Sequence, residues 1–185
     1  MSGLFRRMCI LVCSSVALTV PLLTAAEENR VGLEQMKLAT SVGARCSGFY
    51  DGMFALLHNL SQGSDVQALG VVKGNWEGLD KRYVFRQSTS AMLMTGIFIK
   101  QMNQKFTSEQ RFSFQSFSQD YVSSRKAAMS WKDDENYNTE LGQQRQQCEH
   151  ILQIAMRNGT LNKQMIDGAM QKRSIALGVD LQATD

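Results

Sequence analysis

The chain has 185 residues, of which 20 are basic and 17 acidic, and it contains two histidines, four cysteines and a single proline. This length suits one domain and is short for two. The nearly balanced charge predicts neither a nucleic-acid-binding protein nor a helix lying on an anionic membrane, because both need clustered basic residues.

The N-terminal residues 1–26 have the three parts of a secretory signal peptide. Arg6 and Arg7 supply the charged start, residues 8–23 are mostly apolar, and the Thr-Ala-Ala at 24–26 provides a cleavage site. A membrane anchor is the alternative, but serines and a proline interrupt the run, which is shorter than the roughly 20 clean residues of a span. Cleavage would leave one domain, residues 27–185, that has no integral membrane span and is periplasmic or secreted.

The segment after residue 26 has no proline, and its apolar residues recur at helical spacing. This predicts an all-α fold, a single-domain bundle of about five helices. The first helix is expected to begin within 28–34 and to end near Leu60. Its apolar face consists of Val42, Cys46, Phe49, Tyr50, Met53, Phe54, Leu57 and Leu60. Ala44, Gly48 and Gly52 form a separate row of small residues, which predicts that another helix approaches closely.

The middle of the chain carries two further helical patterns. Residues 66–80 are expected to form a short helix at 66–72 and then a loop, although the glycine spacing also permits a longer helix. A second strong pattern covers 80–106, and its apolar centre at 91–99 predicts that this is the most buried helix of the bundle. Thr107 then has the position of an N-cap for a helix that ends near Trp131. Its inward face is expected to consist of Phe114, Phe117, Tyr121, Val122, Ala128 and Met129.

Two helices are predicted in the C-terminal part. The first covers 138–158 and is stopped by Gly159, a residue that favours helix ends. The last is capped by Thr160 and ends near Leu177. Its inward face is expected to consist of Leu161, Met165, Ile166, Ala169 and Met170.

Cys46 and Cys148 are the only cysteines after the predicted signal peptide. Each lies in the middle of an apolar helical face, and an exported chain with two cysteines is expected to form a disulfide between them. Two buried free thiols and a redox pair are the alternatives. A redox pair usually has cysteines close in sequence and an exposed, activated thiol, which does not fit these two positions.

No pattern in the sequence predicts a catalytic, cofactor-binding or metal-ligating residue. His58 and His150 lie far from each other and from any ligand cluster, so both are expected at the surface. There is no nucleophile elbow and no phosphate-binding glycine loop. Trp76 and Phe112 are aromatic residues off the predicted core faces, and we expect them to contribute to an interaction surface.

These observations favour a non-enzymatic exported helical module. It would be a protein-binding, inhibitor or immunity-type protein, or a small subunit of an envelope assembly, and its partner another protein of the envelope or extracellular space. The alternative is a small secreted hydrolase whose carboxylates, for example Glu77 and Asp80 beside Trp76, converge only in the fold. Asn59 and Asn158 match the glycosylation sequon, which matters only in a eukaryotic source.

Overall fold

The computed structural model describes residues 20–62, 72, 80–108, 114–131 and 134–181. These residues form helices and no strand, and the all-α prediction is confirmed. The five helices are α1 (Val20–Gln62), α2 (Lys81–Lys105), α3 (Phe114–Met129), α4 (Glu135–Arg157) and α5 (Lys163–Leu177). The predicted helix at 66–72, Trp76 and Phe112 lie outside the described residues, apart from Val72, which is buried in the core.

Helix α1 packs against α2, α3 and α4, whereas α5 packs mainly against α2. Its backbone is helical from Val20, so the predicted start within 28–34 is wrong. Proline in the first turn explains why helix is possible there, because the N–H that Pro21 lacks would have had no intrahelical partner. The central residues Phe49, Tyr50 and Met53 are fully buried, as their apolar spacing predicts.

Helix α2 runs antiparallel to α1, since Gly43 lies against Thr95 while Phe54 lies against Phe85 near the other end. Asp80 caps α2 by accepting the backbone N–H of Tyr83 at 2.5 Å. The apolar centre of α2 is not buried on every side, because Phe98 is only half-buried.

Hydroxyl-bearing residues occupy much of the buried face of α2 instead. Ser88, Thr89 and Thr95 are at most 2% exposed. Thr89 and Thr95 donate to the carbonyl oxygens of Phe85 and Ala91, one turn earlier. A hydroxyl bonded to its own helix leaves no unsatisfied group, so small polar residues can lie at a tight helix contact where larger apolar ones do not fit.

Helix α3 runs in the same direction as α1 and approaches it through the small-residue row. A Cβ added to Gly48 would overlap the carbonyl oxygen of Tyr121 and lie 2.9 Å from its carbonyl carbon. A Cβ added to Gly52 would lie 2.5 Å from the carbonyl oxygen of Arg125. The predicted close helix approach is therefore confirmed, and its partner is the backbone of α3.

We expect the substitution Gly48→Ala to destabilise the protein by about 1–3 kcal/mol, because a backbone carbonyl cannot move away as a side chain can. Gly142→Ala is the matched control, since it lies within α4 and an added Cβ would meet nothing within 4 Å. The control should gain about 0.5–1 kcal/mol from helix propensity. Urea unfolding measures both changes, and equal stabilities would contradict the close approach of α1 and α3.

Helices α4 and α5 are joined by a turn built around Gly159, whose φ of 76° ends α4 as predicted. The N-cap of α5 is Asn162 and not Thr160, because the Asn162 side chain accepts the backbone N–H of Met165 at 2.9 Å. The displaced start follows from Leu161, which the turn places in the core at 1% exposure. Met165, expected inward, is 39% exposed.

The disulfide prediction is confirmed. Cys46 and Cys148 are bonded, with their Cα atoms 5.4 Å apart and both residues at most 2% exposed. The bond joins α1 to α4 across 102 residues of sequence. Within the described residues, no helix is both long enough and apolar enough to cross a membrane.

Candidate functional site

A network of polar side chains links α1, α2, α3 and α5 around the carboxylate of Asp51. The Oδ1 atom accepts hydrogen bonds from Ser88 Oγ at 2.5 Å and from Arg173 Nη2 at 2.6 Å. The Oδ2 atom accepts the hydroxyl of Tyr121 at 2.7 Å. Arg173 Nη1 also donates to Ser88 Oγ at 2.7 Å and to Thr89 Oγ1 at 3.3 Å. Both carboxylate oxygens are thus bonded to donors on other helices.

The surroundings of this network keep the Tyr121 hydroxyl protonated. Burial, together with the hydrogen bond to Asp51, raises the pKa of Tyr121 to about 12, so its hydroxyl remains a donor at neutral pH. The Arg173 guanidinium lies 4.8 Å from the centre of the Phe85 ring, a cation–π distance. The side chains of Asp51 and Arg173 are 10% and 18% exposed. The network therefore joins helices in the interior and presents little surface to a substrate.

A second polar cluster connects α2 to α4. The Tyr83 hydroxyl donates to Glu149 Oε1 at 2.6 Å, and Arg145 Nε donates to the same oxygen at 2.7 Å. Burial and the hydrogen bond to Glu149 raise the pKa of Tyr83. This cluster forms one end of an open groove.

The groove, called here the Met156 groove, lies between α2, α4 and the start of α5 and has a volume of about 510 Å³. Its lining residues are Tyr83, Arg86, Gln87, Ser90, Glu149, Leu152, Gln153, Met156, Arg157, Leu161 and Ile166. Leu152, Leu161 and Ile166 are buried and form an apolar floor, whereas Met156 is 40% exposed. Amide and guanidinium groups make up much of the rim. An apolar floor with a polar rim is the arrangement found at protein–protein contacts.

No family model, curated protein or solved structure matches this chain. The Met156 groove is therefore assigned as the candidate site on the chemistry of its own residues. Among the described residues, no group of His, Cys, Asp and Glu side chains could hold a metal ion. His58 and His150 are both exposed, as predicted.

The predicted interaction surface of Trp76 and Phe112 lies outside the described residues and stays a prediction. Asp80, a suggested hydrolase carboxylate, is the N-cap of α2.

Sequence reasoning missed both Asp51 and the groove. Asp51 had one signal that could have been used: it interrupts the apolar face of α1 directly after Tyr50, and a carboxylate there needs a buried partner. The groove had no comparable signal in the sequence, because its lining comes from three separate helices.

Proposed function

We propose that this chain is a non-enzymatic exported module that binds another protein of the envelope or extracellular space. It would act as an inhibitor or immunity-type protein, or as a small subunit of an envelope assembly. The supporting observation is the Met156 groove, where an exposed methionine stands above an apolar floor. Methionine adapts its shape to varied partners, and a groove with an apolar floor and a polar rim can receive an apolar side chain of a partner.

The bonding of the internal carboxylates also supports a binding protein over a hydrolase. A carboxylate pair that catalyses hydrolysis needs a free acid and a free base facing a substrate. Both oxygens of Asp51 and the Oε1 atom of Glu149 instead accept hydrogen bonds from Arg173, from Arg145 and from tyrosine hydroxyls. Their bonding suits a role in holding helices together.

The substitution Met156→Asp is expected to weaken partner binding at least tenfold, because it places a charge over the apolar floor; tenfold corresponds to about 1.4 kcal/mol. Ile175→Asp is the matched control, since Ile175 is also an exposed apolar residue, at 75%, but lies outside the groove lining. The tagged variants would be produced in the native envelope, and the proteins retained in stoichiometric amount quantified by mass spectrometry.

The expected result is one partner that the unmodified chain and Ile175→Asp retain and that Met156→Asp loses. Circular dichroism should be unchanged in both variants, because both side chains are exposed. Recovery of no stoichiometric partner would contradict the proposed function. Equal retention by both variants would place binding elsewhere on the molecule.

A further inference from the structure

Positive charge is concentrated around the Met156 groove. Arg86 and Arg157 line it, and Arg86 also lines a neighbouring pocket of about 360 Å³ that contains Arg82 and Lys163. With Arg145, which bonds Glu149, five cationic side chains surround this region. The carboxylates of the same region are those of Glu149, Asp167 and Asp180.

Two of these three carboxylates have cationic partners within the described residues. Glu149 accepts from Tyr83 and Arg145. Asp167 accepts a hydrogen bond from Lys163 and lies 3.4 Å from Arg86, and its pKa is lowered by Lys163 first and then by the charges of Arg86 and the more distant Arg82. No ion pair joins Arg82 or Arg157 to another described residue. Two guanidinium groups are therefore available to an incoming anion.

From this geometry we infer that the partner enters the Met156 groove with an acidic segment of protein that carries an apolar anchor side chain. This inference rests on the proposed function and specifies its partner. The anchor would lie on the floor made by Leu152, Leu161 and Ile166, and flanking carboxylates would pair with Arg82 and Arg157. A guanidinium binds a carboxylate through two parallel hydrogen bonds, so arginine is well suited to this recognition.

The shape of the site favours a protein segment over other anions. A groove admits a projecting side chain, whereas a flat membrane surface cannot follow its floor. A small inorganic anion would gain nothing from the apolar floor. Along α4 the lining runs from Glu149 to Arg157, a distance of about 12 Å at 1.5 Å per residue, which matches roughly two turns of a helix or four extended residues.

Charge reversal at the two available arginines tests the inference in the retention assay described above. Arg157→Glu and Arg82→Glu should each reduce partner retention at least fivefold. Lys100→Glu, the matched control, lies on α2 beyond the groove and is also exposed, so it should change retention less than twofold. Arg82→Glu places a carboxylate in the first turn of α2, where it favours the helix, and an unchanged circular dichroism spectrum would show that a loss of retention does not come from unfolding.

Three synthetic probes identify the chemistry directly, with binding followed by chemical shifts of the groove amides. The first is a 12-residue peptide of glutamates with two leucines; the second replaces the glutamates by lysines, and the third replaces the leucines by alanines. The first should bind at least tenfold more tightly than either other peptide, and added salt should weaken it. Phosphatidylserine vesicles should leave the groove shifts unchanged.

Equal binding of the lysine peptide, binding of vesicles at the groove, or no binding of the first peptide at millimolar concentration would overturn the inference. Its failure is distinct from that of the proposed function. A native partner lost by Met156→Asp and retained by both arginine variants would leave the binding module in place and reject the acidic segment.

Discussion

Removal of the Cys46–Cys148 disulfide should lower the free energy of unfolding by about 2–5 kcal/mol, the range seen when small secreted domains lose a native bridge. The bridge spans 102 residues, and constraint of so long a loop in the unfolded chain is worth about 4–5 kcal/mol in the chain-entropy model. Alanine is the better replacement, because a serine hydroxyl at these buried positions would add a desolvation cost. Urea unfolding of Cys46→Ala measures the effect.

A double-mutant cycle separates the bridge from local packing. Cys46→Ala, Cys148→Ala and the double variant all lose the same bond, so each should be destabilised by a similar amount. The sum of the two single effects should then exceed the double effect by at least about 2 kcal/mol, a coupling expected of residues that act as a unit. Additive effects would mean that the cysteines stabilise the fold through packing alone.

The substitution Asp51→Asn should destabilise the protein by about 3 kcal/mol, since breaking a buried ion pair leaves the other charge without compensation. Arg173 would lose its only carboxylate partner within the described residues. Helix α5 should be destabilised most. Its packing within the described residues is mainly against α2, and the hydrogen bond from Arg173 to Asp51 connects it to α1. Hydrogen exchange should show a larger loss of protection in α5 than in α1.

Asp167→Asn is the matched control for this prediction. Asp167 also pairs with two cations, but its side chain is 41% exposed, and solvent screening leaves exposed ion pairs with little effect on stability. A destabilisation by Asp51→Asn no larger than that of the control would mean that solvent screens the Asp51–Arg173 pair. Uniform loss of protection in all helices would contradict the special dependence of α5.

Local signals predicted the features that depend on residue type at a single position. Because only two cysteines follow the predicted signal peptide, one disulfide pairing was possible. Gly159 indicated the end of α4 without reference to the rest of the chain. The row at Gly48 and Gly52 predicted close helix contact because only glycine leaves such space. These predictions needed no knowledge of which helix would be the neighbour.

Features that depend on distant partners were not predictable. Asp51 and Arg173 are 122 residues apart, and nothing in either neighbourhood identifies the other. Val122 was expected inward with Tyr121 but is 54% exposed, because α3 turns its small residues and backbone toward α1. Hydropathy also failed to predict the burial of Thr95, whose hydroxyl donates a hydrogen bond within its own helix.

The contacts of α1 constrain the order in which a chain made from its N-terminus can fold. Asp51 meets Ser88 across 37 residues, Tyr121 across 70 and Arg173 across 122, so its network is completed one helix at a time. Closing each longer loop costs more chain entropy, so the α1–α2 hairpin, which closes the shortest loop, has the smallest entropy cost. Among the described residues Arg173 is the only ion-pair partner of Asp51, so before α5 is synthesised the bonded partners of this carboxylate are hydroxyl groups. Synthesis of α5 therefore supplies the cation that pairs with this buried carboxylate, and the complete Asp51 network can form only after α5 has been made.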